Sequence, residues 1–312
     1  MSLLRNFALA GAALTLSITA IGVRAEAPAA PAAVSSEPLV IPDEYKTNGW
    51  AIGCQAWSWN HFSVMEAIEK THEVGGKIIE FYPGQMLRKD QPAVSFSHNS
   101  PDAVLDQVKA QLKKYNILAV SYGVVGLPND EKECRKVFEF AHKMGLRTVV
   151  SEPDPKAMDI IEKLVKEYDI CMAIHDHPKR DNDPNYKYWD PNYVLSLVKD
   201  RDPRIGSCAD IGHWVRSGVR PLDALKILKG RIIESHLKDI NRIGEPHGHD
   251  VPFGNGVSEI TAVLDELKRQ NFQGNLSIEY EFHQENPTTE ITECIEFVQR
   301  YGKPLWPDSE KH

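Results

Sequence analysis

Five consecutive apolar segments from residue 149 onward end in acidic or histidine side chains. They read VVSEP, AIHDHP, SCADIGHW, IIESHLKD and LSIEYEFH, and they carry Glu152, His175, Asp176, His177, Asp210, His213, Glu234, His236, Lys238, Asp239, Glu279 and Glu281. A single polar residue at the end of such a segment says little about function. Ionisable side chains that recur at five segment ends indicate a site, because such groups need an opposite charge beside them once they are brought together.

Side-chain alternation along a strand divides these residues between two faces. His175 and His177 share one face and Asp176 points to the other, while Glu279 and Glu281 share a face of their own segment. Carboxylates and imidazoles that converge would repel or desolvate one another unless a cation lay between them. Oxygen and nitrogen donors suit one divalent ion, such as Mn²⁺, Mg²⁺, Co²⁺ or Zn²⁺. The alternative is a set of separate surface ion pairs at the starts of loops.

The segments belong to a repeating pattern of short β-like and amphipathic helical runs. Predicted strands cover residues 51–57, 77–82, 118–123, 147–151, 170–175, 204–210, 232–238 and 275–280. Predicted helices cover residues 63–75, 101–115, 130–145, 155–168, 191–200, 221–230, 258–270 and 289–302. Strand–helix alternation predicts parallel pairing, and eight units over residues 45–312 predict a single-domain (β/α)₈ TIM barrel. No glycine-rich phosphate motif follows the first strand, which argues against a dinucleotide-binding doubly wound sheet.

Three predicted loops are longer than usual, at residues 83–100, 178–190 and 239–257. All three follow strands, so they would lie at the end of the barrel where active sites are found. Their aromatic residues Tyr186, Tyr188, Trp189 and Phe253 either wall a pocket or simply anchor the loops.

The first 25 residues have the pattern of a secretory signal peptide. Arg5 supplies the positive start, an apolar run follows, and Val23-Arg24-Ala25 fits a cleavage site. A membrane anchor is the alternative, but the apolar run is short and leads into residues 26–44, a Pro/Ala-rich leader expected to be disordered. We therefore expect a secreted or periplasmic protein without stable membrane insertion.

The charge balance narrows the choice of partners. The chain has a formal net charge of −8, and removal of Arg5 and Arg24 with the signal leaves 34 basic and 44 acidic residues, or −10. An acidic chain without a basic cluster argues against binding to nucleic acid. The five cysteines are odd in number and form no CxxC pair, so no disulfide framework is indicated, and the apolar strand patterns around Cys54, Cys171 and Cys208 predict that these three are buried. A small molecule is the expected partner, and the sequence leaves homo-oligomerisation open.

Four motifs together resemble the xylose isomerase-like barrel superfamily of sugar isomerases and epimerases. They are DIGHW, HLKD, DVPFGNG and IEYE, and the resemblance covers essentially the whole chain after the leader. Ketose 3-epimerases of that superfamily bind a metal through Glu, Asp, His and Glu from strands 5 to 8. Asp210-x-x-His213 matches their strand-6 pattern, His236 with Arg242 matches their strand-7 spacing, and Glu279 matches their strand-8 ligand.

The fifth strand departs from the epimerase pattern, because His-Asp-His stands where a glutamate is expected. Glu152 on the neighbouring strand would replace that carboxylate. The resemblance therefore implies the metal ligands Glu152, His177 (or His175), Asp210, His236 and Glu279. It implies that Glu279 or Glu152 removes a proton, that His175 or His177 returns it, and that His213, Lys238 and Arg242 bind substrate. Lys238 would alternatively form a structural ion pair, and Glu80 is expected to stabilise the fold.

The implied activity is metal-dependent isomerisation or epimerisation of an unphosphorylated keto-sugar or glycoside through an enediolate. A lyase or dehydratase that acts on a keto-glycoside through the same intermediate is the alternative. Two further classes fit less well. A metal phosphodiesterase acting on abasic DNA would need additional histidines on strands 2 and 3, and a non-catalytic sugar-binding barrel would be expected to have lost ligands.

Overall fold

Eight parallel strands close into a barrel in the computed structural model, which describes residues 40–302. The strands are β1 (Ala51–Gln55), β2 (Ile78–Phe81), β3 (Leu118–Tyr122), β4 (Thr148–Ser151), β5 (Cys171–His175), β6 (Ile205–Asp210), β7 (Ile232–Leu237) and β8 (Asn275–Ile278). Their order around the barrel follows the chain, and β1 closes on β8 with Gly53 opposite Ser277. The predicted TIM barrel is confirmed, with several strands a residue or two shorter than the sequence pattern.

Helices follow the strands and cover the outside of the barrel. They are α1 (Val64–Glu73), α2 (Asp102–Tyr115), α3 (Glu131–Met144), α4 (Met158–Tyr168), α5 (Pro191–Val198), α6 (Ile211–Arg216), α7 (Pro221–Ile227), α8 (Ile260–Arg269) and α9 (Thr288–Arg300). Local signals set several helix ends. Ser63 and Glu66 form a capping box at the start of α1, and Gly145 ends α3 with a φ of 72°. The short helix α6 was not expected from the sequence.

The apolar core has an outer and an inner part. Ile52 and Ile79 belong to the large cluster that joins strands to helices. The adjacent residues Ala51 and Ile78 belong to a separate cluster that also contains Ile41. This division is the alternation expected of barrel strands, whose successive side chains face the helices and the barrel interior.

Regular structure and buried residues occur slightly before the barrel boundary expected at residue 45. Ile41 is buried, and Asp43–Tyr45 forms a 3-10 helix on the leader side of the expected boundary. The predicted signal peptide and residues 26–39 of the leader lie outside the described residues, so these two assignments stay predictions. Within residues 40–302, no helix combines the length and apolar character needed to cross a bilayer.

Two of the long loops contain short antiparallel hairpins. Gln85–Arg88 pairs with Gln91–Phe96 after β2, and Asp239–Ile240 pairs with Asp250–Val251 after β7. The Asp239 carboxylate accepts hydrogen bonds from the backbone N–H groups of Gly254, Gly256 and Ser258 at 2.8–3.0 Å. The glycine-rich loop after β7 is therefore held to the barrel by one buried carboxylate.

Candidate metal centre

Four buried donors meet at the carboxyl ends of strands β5 to β8. His175 ends β5, Asp210 ends β6, His236 lies in β7 and Glu279 follows β8, and one ligand atom from each lies within 4.8 Å of the others. Asp210 Oδ2 is 3.6 Å from His175 Nε2 and 3.5 Å from His236 Nδ1. Glu279 Oε2 is 3.2 Å from His236 Nδ1. The arrangement is compact enough for a single ion.

Strand register and helix capping explain why Asp210 presents only one oxygen to this cluster. Asp210 lies opposite His236 across the β6–β7 pair. Its Oδ1 accepts a hydrogen bond from the backbone N–H of His213 at 2.8 Å and thereby caps α6. Asp176 faces away from the cluster, as expected, and accepts the backbone N–H of Asp210 at 2.9 Å. The cap and this second bond fix Asp210 so that its Oδ2 faces the other donors.

The unsatisfied atoms of the cluster fit a metal ion. Both ring nitrogens of His175 and Nδ1 of His236 are buried without a hydrogen-bond partner among the described residues, and Asp210 Oδ2 accepts no hydrogen bond although the Lys238 ammonium lies 3.1 Å away. Buried polar atoms are normally hydrogen-bonded, so orphaned ring nitrogens that face two carboxylates require an explanation. Two imidazole nitrogens and two carboxylates are a donor set suited to Mn²⁺, Mg²⁺, Co²⁺ or Zn²⁺.

His177 and Glu152 form a pair beside the four donors. His177 Nδ1 lies 2.5 Å from Glu152 Oε1, and the Tyr186 hydroxyl donates to the same oxygen at 2.5 Å. Glu152 Oε1 is 3.8 Å from His175 Nδ1, and His175 is the one member of the four-donor cluster that Glu152 approaches. The structure thus brings His175, rather than His177, together with Asp210. Glu152 and His177 lie in an adjacent group that shares His175.

Glu152 is held in its ionised form. Burial alone would raise the pKa of its carboxyl group, but the neighbouring imidazoles of His175 and His177 outweigh burial and lower that pKa below its usual range. A carboxylate that holds one imidazole nitrogen fixes both the orientation and the tautomer of the ring. Glu152 therefore orients His177, with Tyr186 as a further support.

Lys238 lies on the other side of the cluster and is almost fully buried. Its ammonium nitrogen is 2.7 Å from Glu279 Oε2, 3.1 Å from Asp210 Oδ2 and 3.0 Å from Glu281 Oε2. Burial would lower the pKa of Lys238, yet these carboxylates outweigh burial and raise that pKa well above its usual value.

His213 lies next to this lysine: its Nε2 is 3.2 Å from Lys238 Nζ, and burial lowers the pKa of His213 well below its usual value. Lys238 is thus charged beside a neutral imidazole.

Arg216 is a site residue that the sequence did not indicate. Its guanidinium donates to Glu281 at 2.6 Å and to Asp250 at 2.8 Å, and it lies 3.1 Å from His213 Nδ1. The available signal was its position three residues beyond His213 on the same helix, since such residues share a helix face. Arg242, the arginine expected to bind substrate, is exposed in the loop after β7.

Glu80 supports the cluster from within the barrel. The fully buried carboxylate of Glu80, at the middle of β2, lies 2.9 Å from His236 Nε2. Since Nε2 is engaged by Glu80, Nδ1 is the nitrogen of His236 that faces Asp210 and Glu279. A carboxylate behind a histidine ligand is a common way to orient the ring and to raise its basicity.

A cavity of about 400 Å³ opens onto the cluster. Its lining residues are Gln55, Trp57, Tyr82, Pro83, Gly123, Val124, His177, His213, Glu279 and Glu281. Trp57 and Tyr82 meet edge to face with ring centroids 5.0 Å apart. The four loop aromatics, for which pocket lining and loop anchoring were both open, do not line this cavity: Phe253 and Tyr186 are buried, and Tyr188 packs against the core. The apolar wall is built instead by residues that follow β1 and β2.

The barrel and its polar site at the carboxyl ends of the strands define a class of TIM-barrel proteins with an enzyme-like site. Residues 68–301 match the model of the xylose isomerase-like TIM barrel family, and the chain belongs to that family. No curated protein matches the sequence closely enough to count as a relative.

Solved structures share the fold over most of the chain. An uncharacterised protein from Parabacteroides distasonis is 34% identical, covers 81% of this chain and 99% of its own, and has a TM-score of 0.65. A D-tagatose 3-epimerase-like protein is 19% identical over 80% of this chain and 98% of its own, with a TM-score of 0.60. The probable 3-DHS dehydratase involved in petrobactin synthesis from Bacillus anthracis is 14% identical over 78% and 97%, with a TM-score of 0.58.

Proposed function

We propose that this protein is a divalent-metal-dependent isomerase or epimerase that acts on an unphosphorylated keto-sugar or glycoside. The observation that carries the proposal is the set of four convergent donors, His175, Asp210, His236 and Glu279, beside a cavity of small-molecule size. Family membership supports it, since the fold is shared with proteins named as epimerases and as a dehydratase. We also propose that the protein is exported, in keeping with its N-terminal sequence.

The four donors would hold the ion, which would polarise a substrate carbonyl and stabilise negative charge that develops on its oxygen. Glu279 is the first proton-transfer group. Burial would raise the pKa of its carboxyl group, but Lys238 and His236 outweigh burial and lower that pKa to about 2. Glu279 also lines the cavity, so its carboxylate is ionised and accessible to a carbon-bound proton next to the carbonyl.

His177 is the second proton-transfer group. Its ring lines the cavity and its side chain is 39% exposed, whereas His175 is buried in the donor cluster. With Nδ1 engaged by Glu152, Nε2 is the ring nitrogen available to substrate, as in other carboxylate–histidine pairs that act as acid or base. Glu279 and His177 belong to opposite ends of the donor arc, separated around the barrel by β6 and β7. Transfer through two such groups gives epimerisation or isomerisation.

The aromatic wall fits a sugar substrate. Trp57 is 40% exposed at the cavity, and its backbone is held by the side chains of Gln55 and Gln284 at 2.6 Å and 3.0 Å. A fixed aromatic face opposite polar side chains matches the two kinds of surface that a sugar ring presents. Trp57 and Tyr82 would therefore bind the apolar face of the ring while His213, which also lines the cavity, hydrogen-bonds to its hydroxyl groups.

A lyase or dehydratase is the second candidate, and one observation favours it. The end of β5 carries imidazoles in place of the carboxylate expected for a ketose epimerase, and His177 is coupled to Glu152 and Tyr186. An imidazole supported in this way is a suitable acid for a departing hydroxyl or alkoxide group. The same enediolate would then expel that group rather than take back a proton.

A D₂O experiment separates the two reactions. Purified protein with added Mn²⁺, Co²⁺, Mg²⁺ or Zn²⁺ is incubated with keto-sugars and keto-glycosides, and the products are followed by NMR. An isomerase or epimerase gives a deuterated isomer without loss of a group, whereas a lyase releases water or the aglycone.

The metal itself is tested by elemental analysis and by Asp210→Ala. We expect one divalent ion per chain and loss of both metal and turnover in Asp210→Ala, with Asp106→Ala on the exposed face of α2 as the matched control. A protein that binds no divalent ion and retains its activity as Asp210→Ala would contradict the proposal.

A further inference from the structure

The Lys238 ammonium contacts the same oxygen atoms that face the other metal donors. It is 3.1 Å from Asp210 Oδ2 and 2.7 Å from Glu279 Oε2. These two oxygens are also 3.5 Å and 3.2 Å from His236 Nδ1. A lysine that merely bordered the site would meet the outer oxygens of the carboxylates. Lys238 instead shares the inner oxygens with the donor cluster.

The backbone is shaped to admit this lysine. Gly212 lies in α6 against the stem of Lys238, and a Cβ at Gly212 would lie 2.5 Å from Lys238 Cβ and 2.9 Å from its Cδ. Contacts that short do not occur between real side chains, so any larger residue at position 212 would displace the stem. Lys238 itself is 1% exposed. Packing therefore fixes its ammonium among the carboxylates rather than letting it reach solvent.

The Lys238 ammonium lies among carboxylates that need a positive charge. Asp210, Glu279 and Glu281 place three carboxylates within 3.1 Å of Lys238 Nζ. Three carboxylates gathered around one buried point are strongly unfavourable without a cation between them. Arg216 is the second cation and bonds to Glu281 and Asp250. Among the described residues, Lys238 is the only Lys or Arg with an ion pair to Asp210 or Glu279.

We propose that Lys238 is an internal counter-ion that neutralises Asp210 and Glu279 in the metal-free protein and competes with the divalent ion for them. The inference rests on the proposed metal centre. When the ion binds, Lys238 keeps partners that are not metal donors, because Glu281 Oε2 lies 3.0 Å and His213 Nε2 3.2 Å from its nitrogen. The lysine thus keeps the empty site folded, weakens metal binding, and makes the metal exchangeable.

Metal affinity and stability measured together test this role. Lys238→Met removes the charge and keeps most of the stem. We expect its dissociation constant for Mn²⁺ or Co²⁺, measured by calorimetry, to fall at least about tenfold, since a like charge a few ångströms from the ion opposes binding. We also expect a lower melting temperature in EDTA than for the wild-type protein, and a larger rise on addition of metal.

Two further variants keep the test decisive. Lys238→Gln is a second neutral replacement that can still hydrogen-bond to Glu281, and it should also bind the metal more tightly. Lys109→Met, the same substitution on the exposed face of α2, should match the wild-type protein in both measurements.

The outcomes separate this inference from the proposed function. Wild-type affinity for metal in a folded Lys238→Met or Lys238→Gln protein overturns the counter-ion role and leaves the metal centre intact. If neither the wild-type protein nor these variants bind any divalent ion, both the metal centre and the competition are wrong. Tighter binding in both neutral variants supports the inference.

Discussion

Two histidines separated by one residue occupy different chemical environments. His175 is buried against Asp210, whereas His177 is half exposed in the cavity and bonded to Glu152. Both side chains leave the same face of the chain, so strand alternation cannot distinguish them. Their separation of two residues along the barrel axis decides which one lies in the donor cluster. The proposed roles of ligand and proton-transfer group follow from that difference in depth.

The two roles predict opposite phenotypes. His175→Ala should lose high-affinity metal binding, because one of four donors is removed from a buried site. His177→Ala should bind metal nearly as well as the wild-type protein but lose about 10²–10⁴-fold in turnover, the usual contribution of general acid–base catalysis. Calorimetry and steady-state kinetics measure both quantities, with exposed His142→Ala on α3 as the control. Loss of metal binding in His177→Ala alone would reverse the assignment.

Substitution of Glu80 tests whether its carboxylate orients His236, one of the proposed metal ligands. Glu80→Gln keeps the size of the side chain but replaces the carboxylate that lies 2.9 Å from His236 Nε2. We expect metal affinity to fall about 10–100-fold, as is typical when such an outer partner is changed. The melting temperature measured in EDTA shows whether the fold itself has suffered. If affinity is unchanged, Glu80 has only the fold-stabilising role expected from the sequence.

At the scale of elements, the sequence predicted the repeating strands and helices of the barrel, but it did not predict helix α6 or the two hairpins. Within residues 40–302, the eight barrel strands and eight of the nine α-helices were predicted, because apolar runs alternate with amphipathic segments in each of the eight units. Helix α6 has six residues and follows β6 directly, so its sequence shows no helical period distinct from the strand before it. The hairpins after β2 and β7 were expected to be loops. The two strands after β7 have only two residues each, and most of Gln91–Phe96 is exposed, so neither hairpin contains a buried apolar run.

The loop after β7 depends on a close approach of its backbone to Asp239. A Cβ at Gly256 would lie 2.2 Å from Asp239 Oδ1 and 2.6 Å from the Ile240 carbonyl oxygen. Gly256→Ala should therefore break the bonds that hold the loop and lower the free energy of unfolding by about 1–3 kcal/mol. Gly126→Ala is the matched control, because a Cβ there meets nothing within 4 Å. Urea unfolding compares the two, and equal stabilities would mean that the loop adapts at no cost.

At the scale of the whole molecule, metal binding and folding should be coupled. An ion that binds only the folded barrel stabilises it by about 2.7 kcal/mol at a free concentration one hundred times its dissociation constant. We therefore expect the melting temperature to rise with added Mn²⁺ or Co²⁺ and to fall with EDTA. The Asp210→Ala protein should show no such dependence. If the melting temperature of the wild-type protein does not change with added metal or EDTA, that result would argue against a metal site inside the barrel.

Export is a second prediction for the whole chain. Cleavage after Ala25 would make Glu26 the first residue of the mature protein and change the formal charge from −8 to −10. Intact-mass measurement of the protein from the periplasm or the culture medium of an expressing bacterium tests this directly. A mass that includes residues 1–25 would favour the membrane-anchor alternative.

The sequence by itself determined the barrel, the end of the barrel that carries the site, and the grouping of Asp210, His236 and Glu279. Repeated periodicity sets the architecture, and parallel strands bring their carboxyl ends to one edge.

Only the tertiary structure decided that His175 joins those three residues, that Arg216 lies at the site while Arg242 is exposed, and that Trp57 and Tyr82 line the cavity. The physical reason is geometric. A sequence fixes which face of a strand each side chain occupies, but the depth of that side chain depends on the tilt and stagger of neighbouring strands. Lys238 shows the same limit, since only the packed stem against Gly212 places its charge between the two carboxylates.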